Sequence, residues 1–314
     1  MTTFLNEMNS PRGILNLRVM GFCGADDSVH VEHLQLLSIH YPWIEWGVLF
    51  RPDMEGTPRY ATSAWVDRLA KINEETGGTM RLAGHLCGSR CQEILDGDPS
   101  FVTTLAAKGF GRFQVNATVA NNVKVDRSNL QLIAENLKKC IDAVSECEWI
   151  FQLNDETRDI WDALCKLCSR SSSGSSSPRT TPMPSSLSLE MPSENTSSLP
   201  INLSCLFDAS CGLGVLADEY TSPITVGTQD IPCGYAGGIA PDNVLQVLGN
   251  VSRASTGKAV WIDMESSLRS ILTDKQSPEG KDVFSIEKCM GCVVAGSNKF
   301  PQALPVSRVS LLSI

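Results

Sequence analysis

The sequence lacks any uninterrupted apolar run near the roughly 18 residues that a membrane-spanning helix needs, so no span is expected. Its first residues, Met1 to Gly13, carry Glu7, Asn9, Pro11 and Arg12 and no apolar block, which is unlike a secretory signal. Basic residues are also in short supply: 26 Lys and Arg stand against 35 Asp and Glu, a net charge of −9. That balance argues against a general nucleic-acid binder and against a basic membrane-surface protein. Regular cysteine spacing is missing too. Twelve cysteines in 314 residues follow no framework, and without an export signal they are expected to be free thiols in a cytoplasmic setting. What is present is enough for a large core, since 42% of the residues are apolar.

One stretch has almost nothing to bury. Ser169 to Ser198 reads SRSSSGSSSPRTTPMPSSLSLEMPSENTSS, and an insertion over 169–199 is predicted to be disordered. Its Ser177–Pro178 and Thr181–Pro182 steps offer phosphorylation sites, but a tolerated surface loop is the preferred reading of the stretch, since long loops cost little extra closure entropy. Without it about 280 residues remain, within the size of one α/β barrel.

The remainder alternates. Short apolar runs at Leu17–Cys23, Trp43–Phe50, Met80–Cys87, Gly111–Ala117, Glu148–Leu153, Ile201–Asp208, Pro232–Gly237 and Val260–Met264 read as strands. Helical periodicity separates them at Val31–His40, Ser63–Ile72, Leu130–Val144, Thr157–Leu167 and Asp242–Asn250. Eight such units predict a (β/α)8 TIM barrel over 17–314, preceded by an extension over 1–16 and interrupted between the fifth helix and sixth strand. A doubly wound open sheet would want a G-x-G-x-x-G turn after its first strand, and GFCGADD is not one.

Barrel chemistry sits at the carboxyl ends of the strands. Cys23 ends strand one, where its thiol is either structural or, in an electropositive setting, reactive. Arg59 in the turn after strand two is suited to clamping a carboxylate. Asp208 ends the apolar run CLFD, and a buried carboxyl with a raised pKa suits a general acid. Gly237 and Gly238 permit close backbone approach, with Pro241-Asp242-Asn243 opening a helix behind them. Ser266 and Ser267 follow strand eight, and the two turns together make a plausible phosphate cradle. His85 at the third strand is either an extra acid or base or a core imidazole.

Taken in order, these segments resemble the phosphoribosylanthranilate isomerases of tryptophan biosynthesis. VMGFCGAD (Val19–Asp26) is similar to the family's V-K-I-C-G-I-T, WGVLFRPDMEGTPRY (Trp46–Tyr60) to its G-F-V-F-x-P-x-S-P-R-Y, and AGGIAPDNV (Ala236–Val244) to A-G-G-L-x-P-E-N-V. Ile262–Ser267 resembles V-D-V-S-S-G, and Gly280–Ile286 the closing G-x-K-D-x-x-K-I. The resemblance implies an Amadori rearrangement of a phosphorylated aminosugar without metal or organic cofactor. It makes Cys23 the base, Asp208 the acid and Arg59 the holder of the substrate carboxylate. Gly237, Gly238, Ser266 and Ser267 would hold the phosphate, with Asp263 nearby. Glu265 departs from the pattern: it would repel a phosphate unless it turns away or pairs with Arg269 or Lys281. Open alternatives are a related phosphosugar isomerase or lyase, a non-catalytic phosphosugar-binding barrel, and a zinc site. The zinc ligands would come from Cys165-x-x-Cys168, from Cys289-x-x-Cys292, or from Cys23, His85 and Cys87.

Overall fold

The computed structural model describes residues 15–170, 199–208, 211, 213–273 and 279–299. Nearly all of the expected N-terminal extension and Ser-rich insertion lies outside these residues. Eight parallel strands close into a barrel in the order β1-β10-β9-β6-β5-β4-β3-β2. In chain order they are β1 (Asn16–Cys23), β2 (Ile44–Phe50), β3 (Arg81–Leu86), β4 (Arg112–Val115), β5 (Glu148–Leu153), β6 (Leu203–Phe207), β9 (Cys233–Tyr235) and β10 (Ala259–Met264). Two small antiparallel ribbons lie outside the barrel. They are β7 (Thr225–Val226) with β8 (Gln229–Asp230), and β11 (Arg269–Leu272) with β12 (Lys281–Phe284).

Five helices stand where periodicity placed them: α1 (Val31–His40), α2 (Ser63–Glu75), α5 (Leu130–Ala143), α6 (Arg158–Arg170) and α7 (Val244–Ser255). In α5 the buried residues Ile133, Ala134, Leu137, Cys140 and Ile141 form one stripe at helical spacing, which packs on the sheet. Thr62 caps α2 by accepting from the Trp65 amide at 3.2 Å. Two further helices are unforeseen, α3 (Ser89–Leu95) and α4 (Ser100–Ala107), which share the β3–β4 crossover, while α8 (Ile286–Lys299) carries the helical pattern around Cys289 and Cys292. Each of α3 and α4 has eight residues or fewer, too short for periodicity to register. No helix among the described residues is long and apolar enough to cross a membrane.

The outer faces of the strands and the inner faces of the helices form one continuous apolar core. Inside the barrel the apolar filling is small: Val19, Ile150, Leu206 and Trp261, with Ala236 beside them. Below this layer, at the amino ends of the strands, Arg112 donates to Glu45 at 2.7 Å and to Glu148 at 3.3 Å. Its guanidinium also sits 4.5 Å from the centre of the Trp261 ring. Above the layer, polar side chains take over.

Candidate active site

Inward-facing positions recur every second residue along a strand. On β1 and β10 that alternation brings Cys23 and Asp263 inward, and on β3 it brings His85. The Cys23 thiol donates to Asp263 Oδ1 at 2.8 Å and lies 3.4 Å from His85 Nε2. Cys23 and His85 are buried and Asp263 is half-buried, and β2 runs between the strands that carry Cys23 and His85. Its inward residue there is Gly47. A Cβ at Gly47 would stand 2.5 Å from Cys23 Sγ and 2.9 Å from His85 Nε2, so the glycine is what lets the two side chains meet.

Burial sets the protonation of this trio. It pushes the Cys23 thiol well above its ordinary range, and the neighbouring charge of Asp263 adds to the push. Burial brings His85 down to about 3, with the Arg112 charge assisting, so the imidazole is neutral. Burial likewise lifts the Asp263 carboxyl to about 7, against the lowering effect of the Cys23 hydrogen bond.

A second group sits above the first. Arg59 Nη1 donates to Glu265 Oε1 and to Ser266 Oγ, both at 3.2 Å. The pairing anticipated for Glu265, with Arg269 or Lys281, does not occur. Arg269 is instead bound to Asp26 and Asp282, each at 2.8 Å. Packing around Glu265 pushes its carboxyl up, and the charge of Asp208 adds to this while Arg59 opposes it; 37% of the Glu265 side chain remains exposed. Arg59 itself has φ of 80°, a left-handed conformation that costs a non-glycine residue energy. Asp26 holds it there by accepting the Arg59 backbone N–H at 2.7 Å, while also accepting from Ser28 and Arg269. Burial alone would raise the Asp26 carboxyl, but these donors outweigh it and hold it low.

Asp208 belongs to a third group, on the side formed by β4, β5 and β6. Gln152 Nε2 donates to Asp208 Oδ2 at 2.7 Å, and Gln114 Nε2 donates to Asn116 Oδ1 at 2.7 Å. The remaining atoms Gln114 Oε1, Gln152 Oε1 and Asn154 Nδ2 are buried and without a partner among the described residues. Cys87 is tied here as well, accepting from Asn116 Nδ2 at 3.4 Å, and burial pushes its thiol up to about 12.

The residues expected to cradle phosphate are only partly assembled for that task. Ser266 accepts from Arg59, while Ser267 donates to the Ile239 carbonyl. Gly237 and Gly238 both have positive φ, but Gly238 lies against the backbone of Val215 and Leu216: a Cβ on it would stand 2.3 Å from the Leu216 nitrogen. Asn243 closes the same turn, donating to the Gly238 carbonyl at 2.9 Å and accepting from the Ala240 amide at 2.8 Å. Cys23, His85 and Asp263 are therefore brought together, as are Arg59, Glu265 and Ser266, while Asp208 accepts from Gln152 and acts on Glu265 through its charge. Sequence reasoning passed over Asp26, Gln114, Asn116, Gln152 and Arg112. The signal was present in the alternation of Arg112, Gln114 and Asn116 along β4, where a parallel strand buried on both faces would be apolar throughout.

Two clefts open beside the mouth. One is lined by Phe50, Arg51, Tyr60, Arg90 and Phe101 among others, the second by Val119, Asn122, Lys124, Arg127 and Glu156 among others. Neither is lined by Cys23, Asp208 or Asp263.

No family model matches this chain, and no curated protein matches it. Among solved structures it is similar to a GH113 β-1,4-mannanase, at 9% identity and a TM-score of 0.41 over 91% of this chain and 99% of that one. A complex structure of a GH113 β-1,4-mannanase is similar at 8% identity and a TM-score of 0.40, with the same coverage. Neither is a phosphoribosylanthranilate isomerase. The expected family, its isomerase activity and the assignment to tryptophan biosynthesis are corrected accordingly, together with the phosphosugar alternatives drawn from the same resemblance. The geometry supplies a physical reason for the mismatch. The guanidinium expected to hold a substrate carboxylate is engaged by the chain's own Glu265, and the thiol expected to act as base is a donor to Asp263.

Proposed function

We propose that the carboxyl end of the barrel is the active site of a hydrolase that acts on a carbohydrate, with Glu265 and Asp208 as its two working carboxyl groups. The observation that carries the reading is their placement. Asp208 follows β6, Glu265 follows β10, and the strand between them, β9, runs out into Ala236, Gly237 and Gly238. Strands two places apart lie roughly 10 Å from one another. Side chains leaning inward from them narrow that gap towards the ~5–9 Å at which paired carboxyls cleave a glycosidic bond. With only Ala and Gly between, no side chain larger than a methyl group rises from the intervening strand.

In the proposed reaction Glu265 gives its proton to the leaving oxygen as the carbon–oxygen bond breaks. Water supplies the new oxygen on carbon, and its proton passes to Asp208, held in place by Gln152. Proton exchange with solvent returns both groups to their starting state. The unpartnered amide atoms of Gln114, Gln152 and Asn154 suit a substrate rich in hydroxyl groups, each of which both donates and accepts. A phosphate on that substrate forms no part of the reading, because the turns expected to cradle it are occupied by the chain's own contacts: Ser267 donates to the Ile239 carbonyl and Gly238 lies against Leu216.

The test is a panel of 4-nitrophenyl glycosides, hexosides and pentosides of both anomers, assayed with wild type, Glu265→Gln and Asp208→Asn. Loss of a positioned acid or base costs ~10²–10⁴-fold, so each variant is expected to lose at least about 100-fold in kcat. Wild type that hydrolyses no member, or variants that match its rate, would overturn the proposal.

A further inference from the structure

We infer that Cys23, His85 and Asp263 bind a single divalent transition-metal ion, with zinc the best match to the donor set. This inference stands apart from the carboxyl pair above, because it uses none of the same residues and is read without turnover.

The donor atoms of the three residues all lie within 4.8 Å of one another. In a tetrahedral zinc site with bonds of ~2.0–2.3 Å, neighbouring donors are roughly 3.3–3.7 Å apart. The 3.4 Å between Cys23 Sγ and His85 Nε2 already has that length. The 2.8 Å between Cys23 Sγ and Asp263 Oδ1 is a hydrogen bond, and it must open by roughly 0.6 Å once an ion displaces the proton between them. Rotation about the Asp263 side chain is enough for so small a change.

Chemistry favours the same occupant. One thiolate, one imidazole and one carboxylate are the usual ligand types of zinc, and together they bring two negative charges to a dication. The ligands come from three strands of a closed barrel, so their backbones are fixed before the ion arrives. Gly47 keeps the intervening strand clear at the level of the donors. Three protein ligands leave one coordination position for water or substrate, the pattern of catalytic rather than structural zinc. When bound, such an ion would supply a water acidified towards neutral pH. Cys87, the third ligand anticipated with Cys23 and His85, is instead hydrogen-bonded to Asn116, and Asp263 takes its place in the group.

The experiment uses the full chain, stripped with a chelator and dialysed. Zn²⁺ is titrated by calorimetry, and Co²⁺ by absorption, where a bound thiolate gives a near-ultraviolet charge-transfer band. One equivalent is expected to bind with release of protons. Cys23→Ser should abolish the cobalt–thiolate band, His85→Ala and Asp263→Asn should weaken affinity by about 100-fold or more, and Cys87→Ser should retain both band and affinity. Far-ultraviolet circular dichroism checks that each variant folds. Absence of stoichiometric binding to folded wild type, or a thiolate band that survives Cys23→Ser, overturns the inference. Because neither readout involves catalysis, failure here leaves the glycoside assay untouched, and failure of that assay leaves this one untouched.

Discussion

The two ends of the barrel interior are both charged, yet they are built on opposite terms. At the amino end Arg112 lies between Glu45 and Glu148, Arg18 adds a second cation on Glu148 at 2.9 Å, and the indole of Trp261 covers the guanidinium. Charges there alternate and nearly cancel. At the carboxyl end Glu265 pairs with Arg59, Asp263 accepts from the Cys23 thiol and Asp208 from Gln152, and three amide atoms have no partner among the described residues. The first arrangement pairs its buried charges, with Arg112 Nε left without a partner among the described residues. The second leaves polar capacity unspent within the protein, which is how binding and catalytic sites differ from scaffolding.

The largest effect should come from breaking the balanced end. Replacing Arg112 with Met leaves buried Glu45 without its hydrogen-bonded counter-ion and half-buried Glu148 with Arg18 alone, and loss of one partner of a buried pair costs about 3–5 kcal/mol. Urea denaturation measures it. Glu265→Gln and Asp208→Asn, at the other end, should each stay within about 1 kcal/mol of wild type or exceed it, as residues kept for function often do. If Arg112→Met proves no more harmful than those two, the contrast between the ends fails.

That contrast was only half visible in the sequence. The strands were legible because they are rich in β-branched and aromatic residues, as in IEWGVLF and EWIFQL, and α5 was legible from its single apolar stripe. Pairings were not. Arg59 and Glu265 are 206 residues apart and Cys23 and Asp263 are 240 apart, and nothing in local pattern says which carboxylate a given arginine or thiol will meet. Local pattern left Glu265 either to turn away or to pair with Arg269 or Lys281, and it meets Arg59 instead. Cys87 was grouped with His85 by nearness in sequence, whereas two residues along a strand from His85 its sulfur meets Asn116. The unused clue was polarity at every second position of β4, which marks a barrel filled with polar rather than aliphatic side chains.

A smaller effect, with a pH signature, is expected where the two kinds of electrostatics meet. Asp26 is paired with Arg269, and both side chains are almost wholly buried, yet Asp26 also positions Arg59 at the mouth. Its folded carboxyl is held below the ordinary value, so its contribution is complete above an unfolded pKa of about 3.9 and is lost as pH falls through the folded value. Asp26→Asn should therefore lower stability at neutral pH by about 1–3 kcal/mol and flatten the fall in stability below about pH 4. An acid limb as steep in the variant as in wild type would remove Asp26 from the account.

The smallest effect separates backbone from charge at Arg59. Its φ of 80° is costly for any side chain, and a Cβ rather than the guanidinium is responsible. Arg59→Ala keeps the cost and loses the bonds to Glu265 and Ser266, whereas Arg59→Gly loses the same bonds and removes the cost. The glycine variant should thus be the more stable of the two by about 1 kcal/mol, offset in part by the extra freedom glycine has when unfolded. Both variants should leave the Arg112 end unaffected, since the two groups share no hydrogen-bond partner. Equal stabilities would mean that the turn relaxes when Arg59 is cut back. The N–H to Asp26 would then follow from the arginine's grip on Glu265 instead of setting it.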